Sequence, residues 1–130
     1  MSAKTVAIIV TALFAGALLL KGPLSAETGQ DRVVRLAELE IDPAQLEPYR
    51  AALQEEIATS IRVEPGVLTL YAVSVKNHPT QIRLFEIYAN TAAYEAHLRS
   101  PHFEKYKSRT AGMVRSLRLL ETEPILLGAK

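Results

Sequence analysis

Two stretches of this chain, Val67 to Val75 and Gln81 to Tyr88, are rich in β-branched and aromatic residues and read as neighbouring strands. Side chains of a strand alternate sides, so Leu68, Leu70 and Ala72 share one face and Val67, Tyr71 and Val73 the other. The second stretch repeats this, with Ile82, Leu84 and Tyr88 set against Phe85 and Ile87. A sheet with one wet side carries polar residues at every second position. Here neither side does, so both faces of the sheet need a cover.

The rest of the chain covers one face. Val33 to Ile41 alternates weakly and reads as a first strand. Asp42-Pro43-Ala44-Gln45 is a capping signature, and Leu46, Tyr49, Leu53, Ile57 and Ile61 then recur at helical spacing. Pro48 conflicts with a regular first turn, which places the start of the regular helix near Glu47, after a tighter opening turn. Glu64-Pro65-Gly66 is a turn, and Lys76 to Thr80 reads as a five-residue hairpin loop. Asn90 or Thr91 caps a short helix on which Ala93, Tyr94, His97 and Leu98 share one arc. Ser100-Pro101 restarts a helix, with His102 and Phe103 in its first turn, running to about Gly112. Val114 to Glu121 is the last strand. The order strand, helix, strand, strand, helix, strand is the α+β, ferredoxin-like split βαβ arrangement, with two helices on one face of an antiparallel sheet. A second copy of the chain is the simplest cover for the other face, so the pattern predicts a homodimer with sheets packed together.

The N-terminal segment stands apart. Lys4 precedes an apolar run of about 15 residues, Val6 to Leu20, shorter than the roughly 20 that a spanning helix needs. Lys21-Gly22-Pro23 ends it, and Ala26 offers a cleavage point. This is the layout of a secretory signal over residues 1–26, with an uncleaved membrane anchor as the alternative, followed by a polar linker at 27–31 and one domain at 32–130. Export implies a periplasmic location. A near-balanced charge of +1 with scattered basic residues excludes a nucleic-acid footprint, and the absence of cysteine excludes thiol catalysis and thiolate metal sites.

Three runs carry a resemblance: Glu86-Ile87-Tyr88, Tyr94-Glu95-Ala96-His97-Leu98 and Ser100-Pro101-His102-Phe103. With Glu64-Pro65-Gly66 before the second strand, the stretch from about Arg32 to Glu121 resembles the antibiotic biosynthesis monooxygenase domain superfamily, in particular its quinol monooxygenase-like branch. The resemblance implies a dimeric α+β barrel. For some members it implies oxygenation of dihydroxy-aromatic substrates without metal, flavin or haem. The haem-degrading branch fits poorly: this chain has Lys107 where that branch looks to place its iron-binding histidine, and it has no tryptophan.

Such chemistry needs an apolar pocket, a base for the phenolic proton and donors for the resulting anion. His97 is the candidate base, since an imidazole with a pKa of about 6.5 suits proton removal near neutrality. Glu86, which parity places with Leu84 and Tyr88, is the candidate to orient that imidazole. Tyr88, Tyr71 or Arg83 could donate to the anion, with Arg83 on the opposite face from Tyr88. His102 and Phe103 complete the candidate substrate-binding set. Each has a plainer reading: His97 as a hydrogen-bonded core histidine, His102 as a packing residue, Glu86 as the partner of Arg115 or Arg118, the tyrosines as core. No metal site is expected, because a five-residue spacing with a break between places His97 and His102 on different faces. The expected function is a cofactor-independent monooxygenase acting on a quinol or polyphenol. The alternative is a non-catalytic exported dimer binding a small aromatic or lipid-like ligand, and a third reading is a purely structural dimer whose pocket is filled by Tyr71, Phe85 and Phe103.

Overall fold

The computed structural model describes residues 31–130. The leader expected at 1–26, and all but the last residue of the linker at 27–31, lie outside the described residues. Among the described residues, no helix is long and apolar enough to cross a membrane.

The elements follow the expected order: β1 (Val33–Ile41), α1 (Leu46–Val63), β2 (Val67–Val75), β3 (His78–Tyr88), α2 (Thr91–Leu98), α3 (Pro101–Thr110) and β4 (Val114–Thr122). The sheet is antiparallel throughout, in the order β2-β3-β1-β4. This is the ferredoxin-like α+β fold. Asp42 caps a single 3-10 turn, Pro43–Gln45, by accepting from the Ala44 N–H at 3.0 Å. The regular helix starts at Leu46, one residue before the expected place, so Pro48 stands in its first turn, where the missing N–H removes no intrahelical bond.

Three local expectations are corrected. The hairpin between β2 and β3 has two turn residues, not five: Val75 pairs with His78, and Asn77 takes the left-handed conformation (φ 65°) that a tight turn requires. The register shifts between Val67 and Thr69. This bulge moves Val67 into the buried cluster with Leu70 and Tyr88 and turns Leu68 outward, the reverse of simple alternation. On α1, Ile61 is half exposed; the buried residues are Tyr49, Ala52, Leu53, Glu56 and Ser60. The covered stripe of α1 therefore includes a carboxylate and a hydroxyl.

The main core lies between α1 and the covered sheet face, built from Ala37, Leu39, Ile41, Tyr49, Leu53 and Ile82. The helices leave β4 bare, so Leu117 and Leu119 on its inner side are more than half exposed. On the outer face, Val34 and Ile87 are buried, Leu36 and Phe85 are half-buried, and Tyr71 and Val73 are 67% and 60% exposed. Farther along, that face turns polar, with Glu38 paired in register to Arg83 and Arg118.

Candidate active site

The break between α2 and α3 builds the centre of the site. Asn90 caps α2 by accepting from the Ala93 N–H at 2.9 Å, and Ser100 caps α3 by accepting from the Phe103 N–H at 3.3 Å. Ser100 also donates to the His97 carbonyl at 2.8 Å, which ties the two helices together at the bend. The second helix turns back, and His97 and His102 converge on one oxygen. Glu64 Oε2 lies 2.9 Å from His97 Nδ1 and 2.7 Å from His102 Nε2.

Glu64 is held by the end of α1. Its N–H donates to the Ser60 carbonyl, and Pro65-Gly66 then leads into β2. A Cβ on Gly66 would lie 2.5 Å from the Ala93 Cβ, so only glycine lets this crossing press against α2. Burial acts to raise the Glu64 pKa, but the hydrogen bonds from both histidines outweigh it, and the carboxyl sits below its ordinary value. An ionised carboxylate only accepts, so it takes the Nδ1–H of His97 and the Nε2–H of His102. With neutral rings, this leaves a lone pair on His97 Nε2.

That nitrogen faces a second carboxylate. Glu56 Oε1 is 3.5 Å away, and Ser60 donates to the same oxygen at 2.7 Å. Glu56 is 6% exposed, and burial pushes its pKa up.

His97 also walls a cleft of about 380 Å³ between the sheet and α2–α3, together with Arg35, Glu86, Tyr88, Tyr94 and Phe103. Leu117 and Leu119 of β4 form its open flank. A recess of about 30 Å³ shares Glu86, His97 and Phe103 with the cleft and is also lined by Glu56. Tyr88 is fully buried and donates to Glu86 Oε2 at 3.1 Å. Burial pushes the Glu86 pKa up against that bond, while burial and then the Glu86 charge push the Tyr88 phenol far above its usual range. Tyr88 therefore stays a donor. The Arg35 guanidinium lies 4.6 Å from the centre of the Tyr94 ring and 3.7 Å from Glu121. Phe103 packs on His97 with ring centres 4.7 Å apart.

The sequence candidates divide cleanly. His97, Glu86, Tyr88 and Phe103 meet at the cleft. His102 stands behind His97 on Glu64, outside the cleft lining. Arg83 does not join them: it belongs to the outer face, opposite Glu38 and Val73. Tyr71, in register with Phe85 on the outer face, is absent from the cleft and borders only the recess. Two cations line the cleft: Arg35, which pairs in register with Glu86 across the sheet, and Lys107, whose Nζ lies 5.9 Å from the centre of the Phe103 ring. Two readings of partners are corrected. Glu64, not Glu86, bonds the His97 ring. Arg115 and Arg118 approach Asp42 and Glu38, not Glu86. The expectation that His97 and His102 point apart is also corrected, because the bend at Ser100 reorients the second helix. Sequence reasoning missed Glu56, Ser60, Arg35 and Tyr94 as site residues. A signal existed for two of them: Ala52, Glu56 and Ser60 recur every four residues beside the apolar positions 49, 53 and 57.

The described residues make a ferredoxin-like domain whose apolar cleft is walled by an imidazole and a half-buried carboxylate. The family model described as antibiotic biosynthesis monooxygenase matches residues 32–109. The chain belongs to that family. A candidate antibiotic biosynthesis monooxygenase from Bacteroides thetaiotaomicron is 49% identical, with a TM-score of 0.74, over 77% of this chain and 95% of that one. A candidate monooxygenase from Lactobacillus acidophilus is 32% identical with a TM-score of 0.70, over 73% of this chain and 45% of that one. A further candidate member from Nitrosomonas europaea, 18% identical over 75% of this chain and 94% of that one, shares the fold with a TM-score of 0.69. No curated protein matches the chain.

Proposed function

We propose that this protein is a cofactor-independent monooxygenase that oxidises a quinol or polyphenol with dioxygen. The observation that carries the reading is the cleft, in which an apolar wall meets His97, Glu86 with Tyr88, and Arg35. Dioxygen reacts slowly with closed-shell molecules, but a phenolate can pass it one electron. The radical pair then joins as a peroxide, and the O–O bond breaks. For a hydroquinone the balance is one dioxygen in, one oxygen atom into the ring, and two hydrogens with the other oxygen leaving as water. The product is a hydroxyquinone, and the substrate supplies all four electrons that dioxygen takes.

His97 takes the phenolic proton at Nε2, with Glu64 fixing the ring from the opposite nitrogen. Arg35 faces the anion. Glu86, raised by burial and held by Tyr88, returns a proton to the leaving peroxide oxygen. Phe103 packs behind the imidazole. Oxygen uptake with a panel of hydroquinones tests this reading: turnover by the native chain and its loss in His97→Ala support it, and equal turnover by the variant removes His97 as base.

One observation favours a second reading. Leu117 and Leu119 leave a greasy open flank, which suits a non-catalytic domain holding a lipid-like ligand. Tight ligand binding without oxygen uptake is its signature. We further propose a homodimer through the outer sheet face, where Tyr71 and Val73 stand exposed, and export of the domain by its N-terminal segment. Light scattering on the purified domain and fractionation of cells test these two points.

A further inference from the structure

We propose that Glu56, His97 and His102 form a binding site for one divalent transition-metal ion, with Glu64 as the shared carboxylate behind both imidazoles. One ligating atom from each of the three residues lies within 4.8 Å of the other two. Glu56 and His97 are buried and His102 is half-buried. Two imidazoles and one carboxylate suit zinc, manganese or iron better than calcium or magnesium, which favour oxygen donors alone.

Three further features agree. First, ligating histidines almost always give their other ring N–H to a carboxylate or carbonyl. Here Glu64 accepts from both rings, fixing their orientation and leaving one nitrogen of each for an ion. Ser60 fixes Glu56 by donating to its Oε1 at 2.7 Å. Second, the formal charges match: two carboxylates, Glu56 and Glu64, at a site holding one divalent ion leave no net charge in a largely enclosed place. Lys105 and Arg109 near His102 do not oppose the ion, because Glu55 pairs with both. Third, the needed movement is small. Bonds of about 2.0–2.2 Å in a tetrahedron set donors roughly 3.3 Å apart. His97 Nε2 and Glu56 Oε1 are already 3.5 Å apart, so the closure falls mainly on His102, in the first turn of α3.

An ion there takes the lone pair of His97, the atom assigned above to accept the phenolic proton. Loaded protein should then lose quinol turnover, and this consequence alone rests on the proposed reaction. The site itself does not.

Titration of the full chain with cobalt(II) tests it, followed by the visible bands of a tetrahedral ion and by calorimetry with zinc(II). The expected result is one ion per chain for the native protein. Glu56→Gln and His102→Gln should each abolish the bands, and Glu64→Gln should weaken binding by about 10–100-fold. His78→Ala, at an exposed histidine of the hairpin, should change nothing. Circular dichroism on each variant separates lost binding from lost folding. Native protein that gives neither bands nor heat overturns the proposal, as does binding that survives in folded Glu56→Gln and His102→Gln. Failure of the quinol reading would show as absent turnover in ion-free protein and would leave these titrations unchanged.

Discussion

The two faces of the sheet carry the same kinds of strand residue and put them to opposite use. The covered face hides polar groups: Glu86 and Tyr88 of β3 lie beneath Glu56 of α1 and His97 of α2, where leucines could have stood. The outer face does the reverse, leaving Tyr71 and Val73 in the open while its ions sit at the polar end. Burying polar groups costs stability unless each is partnered, so a fold keeps them where they serve a site. Exposed apolar side chains cost little by themselves and mark a surface to be covered. The contrast separates the face that carries the candidate site from the face proposed to meet a second copy, and substitutions on the two should behave differently.

The largest expected effect is on the covered face. His97→Ala leaves Glu64 and Glu56 facing a void where the imidazole stood. Removing one partner from a buried charged network costs about 3–5 kcal/mol. Urea unfolding should show that loss, and quinol turnover should fall by about 10²–10⁴-fold if His97 is the base. A variant as stable as the native protein would mean that the carboxylates do not need the ring.

Next comes the crossing that positions Glu64. Gly66→Ala places a methyl 2.5 Å from the Ala93 Cβ, too close to stand. Overpacking of this kind costs about 1–3 kcal/mol. The double variant Gly66→Ala with Ala93→Gly removes the collision. It should recover most of the stability, less about 1 kcal/mol for glycine within a helix. No recovery would show that the glycine serves something other than this contact.

Glu86→Gln should change stability in the opposite direction. Burial raises the folded-state pKa of Glu86 above its ordinary value of 4.5, so its ionised form is the costly one. A carboxyl raised on folding gains stability from protonation as pH falls through the folded pKa towards the unfolded one. The amide escapes the cost of ionisation at neutral pH, so Glu86→Gln should melt higher than the native chain at pH 7 to 8, and the gap should close as pH approaches about 4.5. Activity should fall in the same protein, because the amide has no proton to return. A lower melting temperature at neutral pH would contradict the role of burial.

The sequence made some of this visible and hid the rest for physical reasons. Caps are local chemistry, so Asp42, Asn90 and Ser100 marked the helix starts. Strand parity correctly grouped Leu84, Glu86 and Tyr88, and correctly set Arg83 apart. It failed at Val67 and Leu68, because a bulge is a property of paired strands and not of one. Glu64 read as a turn residue, since its role arises only when two helix segments bend towards it. Glu56 and Ser60 escaped because counting apolar positions along α1 skips a stripe that is buried and polar. The convergence of His97 and His102 needed the angle between two helices, which the spacing of residues along the chain does not contain.

The smallest effect on the protomer is expected on the outer face, and it sharpens the contrast most. Val73→Lys replaces a side chain that is 60% exposed on β2, an edge strand. Its intrinsic cost should stay within about 1 kcal/mol, the span of strand propensities. If two copies pack through this face, the added charges meet across the interface and the dimer should come apart. Light scattering would then report a single chain. The melting temperature of the native protein should rise with protein concentration, and that of the variant should not. A native chain that is monomeric in dilute solution would leave Tyr71 and Val73 as ordinary surface and remove the assembly role from this side of the sheet. A variant that still dimerises would place the interface elsewhere. A variant that unfolds outright would mean that Val73 supports the protomer itself, and the division of labour between the faces would fail.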